Sequence, residues 1–257
     1  MPTTIITGAS SGLGAEMARQ LAERGWDLGL CARRTERLEA LRDEIIAANP
    51  GRRVEVRALD VTDDDAVFEV FRAFRDDFGT IDRVVVNAGL GKGAPLGTGR
   101  YDANKQTAMV NFVAALAQME AAMEIFRAQE RGHLVVVSSI TAMRGMRKTM
   151  TSYAATKAGV ASLAEGVRSE MRRDPDLDIR VTTVYPGYIR SEMNERVAQS
   201  TPFMVDTEAG VRAMVEAIED EKESAIVPPW PWLPAGLAMR HLPMSVLRRV
   251  PVVQKFV

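Results

Sequence analysis

Tyr153 and Lys157 stand four residues apart in the run Tyr153-Ala154-Ala155-Thr156-Lys157. On a helix that spacing puts a phenol and an ammonium on one face. A phenol with a pKa of about 10 is a poor acid or base near neutrality. A fixed cation beside it stabilises the phenolate and brings proton transfer toward the working range. The same spacing occurs on ordinary helices, with the tyrosine packed and the lysine solvated. The pair therefore gains meaning only from what accompanies it.

The first companion is Thr7-Gly8-Ala9-Ser10-Ser11-Gly12-Leu13-Gly14, which closes an apolar run and opens a helical pattern. Glycine lets a backbone turn tightly and a diphosphate approach, and a helix N-terminus offers unpaired N–H groups to phosphate. A glycine-rich connection without a ligand is the plain alternative. The second companion is Leu28-Gly29-Leu30-Cys31-Ala32-Arg33-Arg34. In a dinucleotide site, a carboxylate at this strand exit binds the ribose 2′-OH of NAD, and a basic residue accommodates the 2′-phosphate of NADP. The exit holds Arg33 and Arg34 and no carboxylate. NADP(H) is therefore the expected cofactor, with NAD(H) possible, since guanidinium groups grip phosphate bidentately. The alternative is that both arginines simply cap the strand in solvent.

These residues need elements to hold them. Short Val/Ile/Leu runs alternate with helical patterns, the mark of βαβ units and a parallel sheet covered on both faces. Strands are expected at Thr3–Thr7, Asp27–Ala32, Arg53–Leu59, Arg83–Asn87, His133–Ser138, Ile179–Tyr185 and Ser224–Val227. Helices are expected near Gly14–Arg24, Thr35–Ala48, Asp63–Phe78, Tyr101–Arg131, Ser152–Asp174 and Thr207–Asp220. Asp63 and its acidic neighbours make a favourable helix start.

The 257 residues are 46% hydrophobic and 26% charged, which suits a globular α/β chain with a sizeable core. A net charge of −1 gives no electrostatic case for a nucleic-acid partner. The single cysteine, Cys31, excludes an internal disulfide and reads as a buried, inert thiol. Met1–Thr7 lacks the basic and apolar regions of a signal peptide, and no window reaches about 18 uninterrupted apolar residues. A cytoplasmic location is the default expectation. No metal site is expected.

The motifs occur in order: TGxxxGxG at Thr7–Gly14, Asp60-Val61, Asn87-Ala88-Gly89, Asn111, Ser138-Ser139, Tyr153/Lys157 and Pro186-Gly187. Together they resemble the short-chain dehydrogenase/reductase family over residues 3 to about 227. The resemblance implies a single doubly wound Rossmann-type domain with about seven parallel strands and helices on both faces. It implies interconversion of a ketone or aldehyde and an alcohol by hydride transfer. Tyr153 would be the acid/base, Lys157 would lower its pKa and bind the nicotinamide ribose, and Ser139 would hold the substrate oxygen. Asn111 would anchor a water that relays protons from Lys157. Gly8, Ser11, Gly12 and Gly14 form the turn, Leu13 gives its N–H to the diphosphate, and Ser10 sits beside Arg33 near the 2′-phosphate. Asp60 and Val61 meet the adenine, while Asn87, Ala88 and Gly89 wall the adenosine ribose. Pro186, Gly187, Ile189 and Ser191 lie on the nicotinamide side. The resemblance also implies a homodimer or homotetramer formed through helices Tyr101–Arg131 and Ser152–Asp174.

Two departures stand out. Ser139 lies fourteen residues before Tyr153, where thirteen is usual, so Ser138 is the alternative if the register shifts. Ser191 replaces the usual threonine and keeps the hydroxyl. Singly, Asp60 and Asn87 could be caps or turn formers, and Asn111 could satisfy a backbone group in a bent helix. A cofactor-binding scaffold without turnover would have lost Ser139, Tyr153 or Lys157, and all three are present.

Residues 188–206 read as an apolar lid carrying Met193, Val197, Phe203 and Met204, which suits a hydrophobic substrate. Residues 228–257 read as a tail of the 1–227 catalytic domain, within it or extending an interface. Residues 224–257 hold six of the 12 prolines and two of the three tryptophans. They also carry Arg240, Arg248, Arg249 and Lys255, with no acidic residue. Tryptophan beside cations suits peripheral membrane contact and a lipid or steroid substrate. A pocket wall or oligomer interface is the favoured reading, since the prolines prevent one continuous amphipathic helix.

Overall fold

The protein is described here by a computed structural model, which covers residues 1–193 and 203–247. Seven strands form one parallel sheet: β1 (Thr3–Thr7), β2 (Asp27–Ala32), β3 (Val54–Ala58), β4 (Arg83–Val86), β5 (Arg131–Val137), β6 (Asp178–Pro186) and β7 (Ser224–Val227). Their order is β3-β2-β1-β4-β5-β6-β7. The chain winds outward in both directions from the β1/β4 pair, so a crevice opens beyond the carboxyl ends of those strands.

Alternate strand residues feed opposite layers. Ile5, Val84, Val86, Leu134 and Val136 face one core; Ile6, Val85, Val135 and Val137 face the other. The first layer is completed by helices α3 (Asp64–Phe78), α5 (Ala114–Gln129) and α6 (Thr151–Met171), through Phe71, Phe74, Phe126 and Val160. The second is completed by α1 (Gly12–Glu23), α2 (Thr35–Ala48) and α7 (Thr207–Glu219), through Met17, Leu21, Leu38, Met214 and Ile218. Asp63 caps α3 by accepting the Ala66 N–H at 3.1 Å.

The long helix expected at Tyr101–Arg131 is not uniform. It comprises α4 (Tyr101–Ala108), a π-turn at Met109–Val113, and α5, while Arg131 already belongs to β5. Taken together, Tyr101–Gln129 is long and apolar enough to cross a membrane, with a mean hydropathy of 1.3 in its best window. Of that window, 61% is buried inside the protein, as a core helix requires.

The tail folds back as α8 (Pro229–His241) and α9 (Met244–Leu247). Trp230 is non-helical (φ −102, ψ 132), so the helix proper begins at Pro231, with Pro234 inside it. Trp232, Met239 and Leu247 join Ile140, Met146 and Ala154 in a third, smaller core beside β7. Arg248, Arg249, Lys255 and Phe256 lie outside the described residues.

Below the sheet's centre runs a buried polar chain. Arg83 Nε donates to His133 Nδ1 at 3.0 Å, and His133 Nε2 lies 2.8 Å from Thr182 Oγ1. Arg83 also pairs with Glu219 of α7 and stacks 4.0 Å from the Trp26 ring centroid. This network pins α7 to the sheet, far from the crevice.

Candidate active site

The crevice is a cleft of about 280 Å³ at the carboxyl ends of β1, β4, β5 and β6. Its floor is the β1–α1 turn. Gly8 has φ +65, and a Cβ there would come within 2.8 Å of Ala88 Cα; at Gly14 a Cβ would meet the Gly8 carbonyl oxygen at 2.5 Å. Both positions exclude side chains, which brings α1's first N–H groups to the cleft with their dipole unopposed by any acidic residue in the first turn. Thr7 ties this turn to the next: its Oγ1 accepts the N–H groups of Asn87 and Ala88, each at 3.0 Å, and its carbonyl accepts from Asn87 Nδ2 at 2.9 Å.

Gly8, Ser10, Ser11, Gly12, Leu13 and Gly14 line the cleft together with Arg33, Arg34, Asp60, Val61, Asn87, Ala88 and Gly89. So do Ser138, Ser139, Tyr153, Lys157, Pro186, Gly187, Ile189 and Ser191. Of the residues nominated from sequence, Asn111 alone is not on the wall. It is buried in the π-turn, where Oδ1 accepts the Leu90 N–H at 2.7 Å and Nδ2 donates to the Leu90 carbonyl at 2.9 Å. Its side chain fastens the β4 exit loop to the bent helix.

One neighbour differs from expectation. Ser10 is bonded by Arg34, through Nε at 3.3 Å, and Arg34 Nη2 also donates to Ser11 Oγ at 2.6 Å. Arg33 instead turns to Asp60, 3.8 Å away. Asp60 accepts from the Thr62 N–H at 3.0 Å and its hydroxyl at 2.8 Å. Burial pushes the Asp60 carboxyl up, but Thr62 and Arg33 outweigh it and hold it below its ordinary value.

At the opposite end, Ser139 rather than Ser138 meets the phenol. The Ser139 side chain is close enough to the Tyr153 phenol to lower its pKa, whereas Ser138 Oγ donates to the Lys157 carbonyl at 2.7 Å. The extra residue is absorbed by the 3-10 turn Ile140–Met143, which Ser139 caps. Ser139 Oγ accepts the Thr141 N–H at 3.2 Å and the Thr141 hydroxyl at 3.0 Å. Both lone pairs are thereby engaged, and the hydroxyl proton of Ser139 is left to donate into the cleft.

Lys157 is 6% exposed and donates Nζ to the Val137 carbonyl at 2.8 Å; burial lowers it to about 8. The sequence reading had Lys157 lower the phenol's pKa. Here the dominant influence on Tyr153 is burial, which raises it, opposed by the Ser139 hydrogen bond. Burial penalises the phenolate, so the neutral phenol is the stable form.

Sequence reasoning missed Thr141, Tyr188, Trp232 and Glu192. Tyr188 stacks on Trp232 with centroids 5.4 Å apart, and Trp232 fills the space a Gly187 side chain would need. Tyr188 lies near the Tyr153 phenol, while Trp232 is buried in the small third core behind it. Glu192 binds Arg34 at 3.1 Å and Arg37 at 2.8 Å, and these arginines with Ser11 lower its carboxyl to about 2. A carboxylate directly after Ser191 was the available signal. Within the expected lid, Met193 packs over Gly91 and Phe203 is half exposed, while Val197 lies outside the described residues.

A family model described as short chain dehydrogenase matches residues 2–202. An uncharacterised oxidoreductase of Mycobacterium tuberculosis is 50% identical over 245 residues, 95% of each chain. A short-chain dehydrogenase from Sphingobium yanoikuyae in complex with NADPH is 28% identical, with a TM-score of 0.80 over 90% of this chain and 89% of that one. A short-chain dehydrogenase/reductase from Burkholderia phymatum in complex with NAD shares the fold, with a TM-score of 0.82 at 20% identity over 92% of each chain.

Proposed function

We propose that this chain, which belongs to the short-chain dehydrogenase family, uses NADP(H) to interconvert a hydrophobic ketone or aldehyde and its alcohol. It is an oxidoreductase of that family, and the choice of cofactor and substrate is the part proposed. The observation that carries the reading is one cleft with a phosphate-sized glycine turn at one end and the Ser139–Tyr153–Lys157 group at the other.

The bound nicotinamide would supply or accept the hydride at its ring carbon. Tyr153 gives its phenolic proton to the carbonyl oxygen as charge develops there, and Ser139, its lone pairs held by Thr141, donates to the same oxygen. Lys157, buried behind Gly89 and largely ionised at neutral pH, stabilises the phenolate left behind. Asn111, which fastens the β4 exit loop to the π-turn, would anchor a water that returns a proton to this group.

Arg33 and Arg34 support NADP(H) over NAD(H), because both guanidinium groups line the adenosine end. Met193, on the cleft wall, and Tyr188, near the Tyr153 phenol, support an apolar substrate. We read residues 228–247 as part of the catalytic domain, packed beside β7. A homodimer or homotetramer is supported by Met109, Val113 and Leu116, large apolar side chains exposed along the α4–α5 helix. The protein is assigned to the cytoplasm, where reduced nicotinamide cofactor is abundant.

The test is NADPH oxidation against steroid, fatty-acyl and small aromatic ketones, with Tyr153→Phe as control. At least one apolar ketone should be turned over, and the variant should lose about 10²- to 10⁴-fold in kcat while binding NADPH. Undiminished turnover in Tyr153→Phe would end this reading.

A further inference from the structure

The outer side of the tail carries a row of large apolar side chains that the fold leaves in solvent. Trp230 is 78% exposed, Leu237 50%, Leu233 44%, Val246 42% and Leu242 38%. Leu233 and Leu237 lie one turn apart on α8, Trp230 precedes them at the kink, and Leu242 and Val246 continue the row to α9. The inner side of the same helix is fully used: Trp232 and Met239 are buried, and a Cβ on Gly236 would come within 2.8 Å of Ile140 Cδ1. The helix therefore has one face in the protein and a second, equally apolar face outside it.

The charge around this row is mainly positive. The sequence has no carboxylate between Glu130 and Glu165, and none among the side chains after Glu223. Glu165 is the acidic neighbour, acting with Arg240 on Tyr185. The loop after Ser139 abuts α8, because Arg144 Nη1 donates to the carbonyls of Met239 and Leu242 at 3.1 and 2.8 Å. It also carries exposed Arg147 and Lys148, and α8 itself ends in Arg240 and His241.

We propose that the Trp230–Val246 face is a docking surface for an anionic lipid bilayer. Apolar side chains led by an exposed tryptophan enter the headgroup boundary, and a surround in which cations outnumber carboxylates meets the negative lipid charge. A second copy of the chain is a poorer fit. Two such faces brought together would oppose like charges, and Met109, Val113 and Leu116 already offer a neutral apolar face elsewhere. Ile140, against which α8 is pressed, directly follows Ser139. The docked face would thus lie one helix thickness from the catalytic end, suited to a ketone dissolved in the bilayer. The docking itself does not depend on the hydride-transfer reading.

The full chain is mixed with vesicles of three parts phosphatidylcholine to one part phosphatidylglycerol, and with phosphatidylcholine alone, then floated. The comparison is the doubly substituted Trp230→Ser, Leu237→Ser protein, with circular dichroism and melting midpoint as controls for folding. Both side chains are exposed, so the variant should melt as the parent does. We expect the parent to float with the anionic vesicles, less at high salt, and the variant to bind at least tenfold more weakly. A parent that stays at the bottom of the gradient, or a folded variant that floats as well as the parent, overturns the proposal. So does a parent dimer in sedimentation that the variant splits, since the face would then join two copies. No outcome involves turnover, so a failure here is separate from a failure of the proposed reaction.

Discussion

Glu192, at the exit of β6, reaches Arg34, at the exit of β2, with a carboxylate-to-guanidinium distance of 3.1 Å. The contact spans the mouth of the cleft and engages the cation that also binds Ser10 and Ser11. An internal anion thus shares the group best placed to receive a phosphate.

Glu192→Gln should therefore strengthen NADPH binding by about two- to fivefold, the range of a half-exposed ion pair. NADH binding should change little, since it has no 2′-phosphate. Fluorescence titration of both cofactors measures this. Equal weakening of both would show that the carboxylate steadies the cleft instead of competing within it.

Two adjacent serines should behave differently. Ser139→Ala should lower kcat by about 10²- to 10³-fold with the melting midpoint nearly unchanged. Ser138→Ala should leave kcat within a fewfold but destabilise the fold by about 1 kcal/mol, because its bond to the Lys157 carbonyl is buried. Thr141→Val, which frees a lone pair on Ser139, should cost several-fold in kcat with KM unchanged. Steady-state kinetics beside thermal melts separate the three; a reversed pattern for the serines would mean the other hydroxyl serves the substrate.

The pH profile of reduction should follow Lys157. Its ammonium is lowered to about 8 by burial, so it is charged below that value and neutral above it. Reduction should be level from pH 6 to 7.5 and decline as pH passes 8, because an uncharged lysine no longer stabilises the phenolate. A rate that stays level to pH 9.5 would remove Lys157 from this role.

Acid stability should depend on His133. Burial and the neighbouring Arg83 lower it to about 3, against about 6.5 in an unfolded chain. The folded state then binds fewer protons between those values, so stability is complete above pH 6.5 and falls toward pH 3. The loss approaches 1.4 kcal/mol per pH unit, or about 2 kcal/mol between pH 6.5 and 5. Urea unfolding at the two pH values tests this, with His133→Asn expected to flatten the difference.

The strands and their order of use were legible because each is a short apolar run ending in a motif residue, as Ile5–Ile6 ends in Thr7–Gly8. The glycine turn and the Tyr153/Lys157 pair were legible for the same reason, since local spacing fixes their geometry. Ser139 was read from sequence with Ser138 left open, because spacing alone does not place a one-residue insertion; the 3-10 turn that Ser139 caps lies directly after the pair. The π-turn at Asn111 was hidden for a similar reason: a widened turn keeps the helical pattern on either side. Glu192, Tyr188 and Trp232 act through partners far away in sequence, and no single-sequence pattern reports such pairing. The helical tail was obscured by its prolines, which from sequence alone read as helix breakers although Pro234 lies inside α8.

Cys31 is wholly buried in β2, its thiol pushed up to about 12 by burial. Alkylating reagents and mild oxidants should leave the native protein untouched. A Leu237→Cys protein would thus offer one reactive sulfur, and a dye attached there would report, by its colour in oil or water, where that helix spends its time.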